Sequence, residues 1–140
     1  MRSLGRCLPA LVLMGLIFLV SAQPTLPEVQ GDLDVAVKKA AHMTEYGVLF
    51  ALWLWALPGP RPTAARWALA ITLAYAVSDE VHQSFVDGRT ASPFDVAIDA
   101  AGMGVAAAIW AVRVRRRSIG SAAAVPDAGL GPTASRARWP

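Results

Sequence analysis

Cysteine is nearly absent. Cys7 is the only one in 140 residues, so no intramolecular disulfide and no thiolate metal cluster can form. Histidine is scarce too, with His42 and His82 alone, and neither stands in an HExxH or similar ligand spacing. Two histidines and several carboxylates could supply hard ligands in principle, but without a diagnostic spacing neither a metal nor a cofactor is expected. There is no serine elbow and no cysteine near the polar clusters described below, so the usual covalent nucleophiles are missing. Charge is thin, at 16% of residues against about 25% in ordinary soluble domains. No internal repeat and no nucleic-acid module is visible, and the length suits one domain.

What is abundant is apolar surface. Hydrophobic residues make up 55% of the chain and the mean hydropathy is +0.43, a balance that fits an integral membrane protein. Four apolar stretches stand out. The first runs from about Leu8 to Ala22, after Arg2 and Arg6, and ends in Val20-Ser21-Ala22, which has the form of a signal-peptidase site. A retained first helix is the expectation, because the rest of the chain is itself a membrane bundle. The second stretch is stopped by Pro58-Gly59-Pro60. A span of about 20 residues counted back from there starts near Lys39. The third begins near Thr63 or Ala64 and extends to about Gln83. The fourth opens at Ser92-Pro93-Phe94-Asp95, where Ser, Pro and an acid suit the cap and first turn, and reaches about Val112.

Lys and Arg set the orientation. Arg2, Arg6, Arg61, Arg66, Arg113, Arg115, Arg116 and Arg117 belong in the cytoplasm, which places both termini inside and the first and third loops outside. The expected fold is therefore all-α, an integral membrane bundle of four transmembrane helices with both termini cytoplasmic. Residues 1–34 would form the first helix and outer loop, and residues 35–114 the helical membrane domain. Residues 115–140 would form a disordered cytoplasmic tail, Ala, Gly, Pro and Ser rich from Ser118 onward.

The same count brings ionisable residues of three segments to the outer side: Lys39, His42 and Glu45; Asp79, Glu80 and His82; Asp95 and Asp99. Charged groups at membrane depth are costly, rare and usually functional. Asp79, His82, Gln83 and Val86 share a helix face, and so do Asp95 and Asp99, with Gly102 and Ala106 continuing that face. Each cluster also has a plainer reading. The Asp79–Arg89 stretch could be a helix end fraying into water, and Asp95 could serve only as a capping acid. The lysines and Tyr46 could be an interfacial belt. Trp53, Trp55, Trp67 and Trp110 read as aromatic belt, and Gly102 and Gly104 as helix-packing positions. Asp99 has no plain role and needs a partner, which Arg89, Lys39 or a histidine could supply.

These residues carry a resemblance. Lys39-x-x-His42-x-x-x-Tyr46, Asp79-Glu80-x-His82-Gln83-x-Phe85-x-x-x-Arg89 and Asp95-x-x-x-Asp99-x-x-Gly102 resemble the VanZ-like membrane protein family, over about residues 35–112, with the preceding helix also fitting. The resemblance implies a multi-helix protein of the cell membrane, and the family name carries a link to glycopeptide (teicoplanin) resistance. It implies motif roles for Lys39, His42, Tyr46, Asp79, Glu80, Gln83, Arg89, Asp95 and Gly102. The chain departs from the family pattern at Asp99, where Asn is common, and so gains a negative charge.

Three functions follow as expectations. In the first, an outward-facing polar pocket binds a polar or anionic group of a membrane lipid or cell-envelope ligand. Lys39, Tyr46, Gln83, Arg89, Asp95 and Asp99 would contact it, with Arg89, Lys39 and His42 holding the anion and the carboxylates setting their orientation. In the second, a membrane-embedded hydrolase or transferase uses Glu80 or Asp79 as general base, His42 or His82 as proton shuttle and Arg89 as oxyanion or phosphate clamp. In the third, the residues form a structural polar network without ligand. A homo-oligomer with the site at a subunit interface is compatible with each, and no nucleic acid is expected.

Overall fold

The computed structural model describes residues 2–24, 31–89 and 91–123, with side chains described for residues 5–24, 31, 33, 35–89 and 91–118. Among the described residues all regular structure is helical. The helices are α1 (Arg2–Ser21), α2 (Asp32–Ala56), α3 (Arg61–Gln83) and α4 (Pro93–Ala123). Two short links reverse the chain, and each uses a glycine in the left-handed region: Gly59 (φ 100°) after α2 and Gly88 (φ 76°) after α3. A side chain is strained at such angles.

The helices overrun the bilayer-based boundaries. α2 begins at Asp32 behind the N-cap Gly31, two turns before Lys39. α4 continues through Ala123, past Val112 and into the segment expected as tail. Membrane thickness limits how much of a helix is buried in hydrocarbon, not where the helix ends. Nothing between Val112 and Ala123 breaks it, the next proline being Pro126. Residues 124–140 of the expected tail lie outside the described residues.

α2 is the central helix. It packs against α1 and α3 and most extensively against α4. The α2–α4 crossing depends on glycine. A Cβ built on Gly102 would overlap the backbone carbonyl of Met43, and one on Gly47 would meet the Gly102 carbonyl oxygen at 3.0 Å. Small residues thus let the two backbones touch. The core holds Tyr46, Leu49, Phe50, Trp53 and Met103. Trp53 is 9% exposed, which corrects its reading as a belt residue. It follows Leu49 and Phe50 by four and three positions and so turns inward with them. Trp55 and Trp67, by contrast, are exposed.

The exterior is unusually apolar. Leu8, Leu16, Leu19, Leu69, Val81 and Ile109 all face outward, whereas Thr72, Asp79, Glu80, Gln83 and Asp99 are buried. One segment among the described residues, residues 93–118, is long and apolar enough to cross a membrane, with mean hydropathy 1.5; residues 5–21 form a shorter apolar helix. α3 falls short because it contains Arg61, Arg66, Asp79 and Glu80, and α2 because it contains Lys38, Lys39 and Glu45. The residues that depress hydropathy include those that build the site.

Candidate functional site

The C-terminal ends of α1 and α3 meet the N-terminal ends of α2 and α4, and the polar residues collect there. Asp79 is the hub. Its Oδ2 accepts hydrogen bonds from Ser21 Oγ of α1 (2.9 Å), Tyr46 OH of α2 (3.2 Å) and Gln83 Nε2 of α3 (2.9 Å). Gln83 is one helical turn beyond Asp79, which puts both on one face. Its Oε1 accepts from Arg89 Nη1 at 2.9 Å. Arg89 also donates from Nε to the Gln23 carbonyl (3.3 Å) and from Nη2 to the Val20 carbonyl (3.5 Å). The arginine therefore ties the loop after α3 to the end of α1. Tyr75 reinforces the α1–α3 contact, donating to the Met14 carbonyl at 2.6 Å.

A second set joins α2 to α4. Lys39 Nζ donates to Asp95 Oδ1 at 2.8 Å and lies over the Phe94 ring, 4.9 Å from its centroid. One turn deeper, His42 Nδ1 stands 3.6 Å from Asp99 Oδ1, in ion-pair range but too long for a good hydrogen bond. Both lie on the inner faces of their helices, as the spacings Lys39/His42 and Asp95/Asp99 require. Glu80 connects α3 to the entry of α4, its Oε1 accepting from the Ser92 backbone N–H. Glu45 is half-buried within electrostatic reach of His42, Asp79 and Asp99.

The sequence-predicted residues Lys39, His42, Tyr46, Asp79, Glu80, Gln83, Arg89, Asp95 and Asp99 thus fall into one end of the bundle. They form two linked groups, one centred on Asp79 and one along the α2–α4 seam. Asp99 finds its partner in His42, one of the three candidates. His82 leaves the cluster, stacking on Phe18 of α1 with ring centroids 4.3 Å apart. Phe85 is 82% exposed, its backbone N–H donating to the His82 carbonyl at 3.0 Å. The one buried contributor that sequence reasoning passed over is Ser21. Its place in Val20-Ser21-Ala22 suggested a processing signal, yet alternation of helix direction already puts the end of the first helix beside Asp79.

Some polar atoms in the site are buried and have no hydrogen-bond partner among the described residues: Asp79 Oδ1, Asp99 Oδ1 and His42 Nδ1. Such groups usually cost about 1–3 kcal/mol each. The carboxylates Glu45, Asp79, Glu80, Asp95 and Asp99 outnumber the bases Lys39, His42 and Arg89, so the site has acceptors to spare. Among the described residues no group of three or more His, Cys, Asp or Glu side chains could hold a metal ion. Beside the site, a groove of about 420 Å³ between α3 and α4 is lined by Val77, Val81, Pro93 and Val96 together with Glu80, Ser84 and Ser92.

Comparisons with curated proteins and with solved structures each found no match. The sequence profile of the family described as VanZ/LLP1, however, matches residues 5–114. That range takes in α1 with Ser21, all of α2 and α3, and α4 through Val114, and so every residue of the polar end. With most of its length and its whole polar site inside the match, the chain belongs to the VanZ/LLP1 family.

Proposed function

We propose that the chain is a multi-pass protein of the cell membrane with four transmembrane helices and both termini cytoplasmic, and that its outward-facing polar end binds a polar or anionic group of a lipid or cell-envelope molecule. The observation that carries this reading is that buried Asp79 Oδ1 has no hydrogen-bond partner among the described residues, and that Asp99 Oδ1 and His42 Nδ1 face each other in ion-pair range without one. A ligand's hydroxyl or ammonium donors would satisfy the two carboxylate oxygens and recover their desolvation cost. An anionic group on the same ligand would be met by the remaining N–H groups of Arg89 and Lys39. A guanidinium has five donors and an ammonium three, and Arg89 uses three in the structure while Lys39 uses one. The apolar exterior and the arginine-rich opposite end support the four-span arrangement.

The test is co-purification. Parent chain, Arg89→Ala and Glu80→Gln are purified in mild detergent, their folded state is checked by thermal unfolding, and bound lipids and envelope precursors are identified by mass spectrometry. Arg89→Ala is expected to lower ligand retention about tenfold to a hundredfold, the worth of a hydrogen bond to a charged group, with folded yield largely kept. A parent chain that never carries such a molecule, with variants that differ from it only in stability, leaves the polar end a structural network.

A second reading is favoured by the His42–Asp99 pair. Asp79 already accepts three hydrogen bonds on one oxygen and Glu80 accepts from the Ser92 N–H, so neither is as well placed to move a proton as a histidine oriented by a carboxylate. In a hydrolase or transferase His42 would be the base and Glu80 a positioning group. His42→Gln would then remove turnover of the co-purified ligand while leaving its retention within about twofold, since binding and chemistry separate in that way. The link between the family name and teicoplanin resistance is a separate measurement, the inhibitory concentration in a susceptible host expressing parent chain or Arg89→Ala. A rise that the variant abolishes ties resistance to this site, and no rise separates the two.

A further inference from the structure

The other end of the bundle has opposite character. A groove of about 610 Å³ runs between α2 and α4 on the outer surface. Its floor is the close crossing at Gly47 and Gly102, and its walls include Val48, Ala51, Val105 and Ile109. Toward the far end Trp55 and Trp110 flank it, and Arg61, Arg113 and Arg117 line its mouth. Between Gly102 and Arg117 a helix rises about 22 Å, somewhat more than the roughly 15 Å depth of one leaflet of hydrocarbon. Among residues with described side chains, no carboxylate of α2, α3 or α4 lies nearer the arginine end than Glu45, Asp79 and Asp99, respectively, and no ion pair involves Arg61, Arg113 or Arg117 among the described residues. Arg61 donates to the Leu54 carbonyl at 3.3 Å, which holds its guanidinium against the end of α2. Arg6 of α1 lies over the Trp55 ring, 5.7 Å from its centroid, and steadies that wall.

We propose that this groove is a binding site for an anionic phospholipid, its acyl chain lying along the α2–α4 seam and its phosphate held by Arg61, Arg113 and Arg117. The occupant is argued from charge and shape together. An apolar channel as deep as a leaflet takes a hydrocarbon chain, aromatic rings lie at headgroup level, and a cluster of arginines at that level matches a lipid phosphate. The site shares no hydrogen-bonding or ion-pairing side chain with the polar end.

The experiment uses the full chain in phosphatidylcholine vesicles with and without phosphatidylglycerol, followed by mild delipidation and native mass spectrometry. The parent chain is expected to retain phosphatidylglycerol in preference to phosphatidylcholine, and inorganic phosphate should not displace it. Arg113→Gln combined with Arg117→Gln should lower that retention on the order of thirtyfold, from the contribution of each basic side chain near an anionic surface. Val105→Trp, which fills the channel but keeps the arginines, should lower it as well, whereas Arg89→Ala at the opposite end should not. Thermal unfolding of each variant in detergent confirms that it is folded. Equal retention of the two lipids, or full retention by folded Val105→Trp, would overturn the proposal. So would efficient cross-linking between copies through Val48→Cys in these membranes, because a second copy would then fill the groove.

Discussion

At Asp79, three donors from three helices converge on one oxygen while the other oxygen has none. The donors are not independent, since each holds the carboxylate in the position that the others need. Tyr46→Phe keeps the ring and removes one donor, and Ser21→Ala removes another. Each should destabilise the folded chain by about 1–2 kcal/mol, read as a lowered unfolding midpoint in detergent. The double variant should cost less than the two single losses combined, because residues in one network do not add. If neither variant moves the midpoint, Asp79 is not the hub that its contacts describe. At this scale much was legible in advance, because Asp79/Gln83 and Asp95/Asp99 are one helical turn apart and must share a face. Trp53 was not, since an aromatic near a helix end reads alike whether it faces lipid or core. Only its turn toward the Leu49 and Phe50 face decides which.

At the level of helices, the α2–α4 seam is set by glycine, and two glycines of α4 make a controlled comparison. Gly102 has no room for a Cβ against the Met43 backbone, while Gly104 has open space around its own. Gly102→Ala should push α4 away from α2 and cost about 1–3 kcal/mol, the usual penalty of overpacking. It should also lengthen the His42–Asp99 and Lys39–Asp95 contacts, which lie on the same seam. Gly104→Ala should be neutral or stabilise by up to about 1 kcal/mol, as replacing a helical glycine does. Folded yield and unfolding midpoint measured side by side check both, and equal loss in the two variants would contradict the close crossing. The sequence pointed to Gly102 and Gly104 alike as packing positions. Rotation of α4 about its axis separates them, and the sequence pattern alone does not report that rotation with enough accuracy.

Among the described side chains the molecule is polarised along its helix axes, with the carboxylates, Lys39 and Arg89 of the site at one end and Arg61, Arg113 and Arg117 at the other. In the four-span arrangement, Pro58→Cys in the α2–α3 link faces the cytoplasm and Asp87→Cys in the α3–α4 link faces outward. With Cys7→Ala as background, an impermeant thiol reagent applied to intact cells should label Asp87→Cys and spare Pro58→Cys until the membrane is opened. The reverse pattern would invert the orientation, and labelling of both from outside would exclude it. Hydropathy by itself would not have settled the number of spans, because α2 and α3 surrender apolar length to the charged residues that make the site.

The sequence by itself determined where the apolar segments lie and, through the alternation of helix direction, which polar residues must gather at a common end. Chain connectivity and the cost of buried charge suffice for that. The tertiary structure decided the partners: Ser21 rather than water on Asp79, His42 rather than Arg89 on Asp99, and Phe18 rather than the polar cluster for His82. Those choices depend on how far each helix is rotated and how closely it approaches its neighbour, and for the α2–α4 pair the approach is set by the contact of the two backbones at Gly47 and Gly102. That contact is made between residues distant in sequence, and no pattern within one helix encodes it.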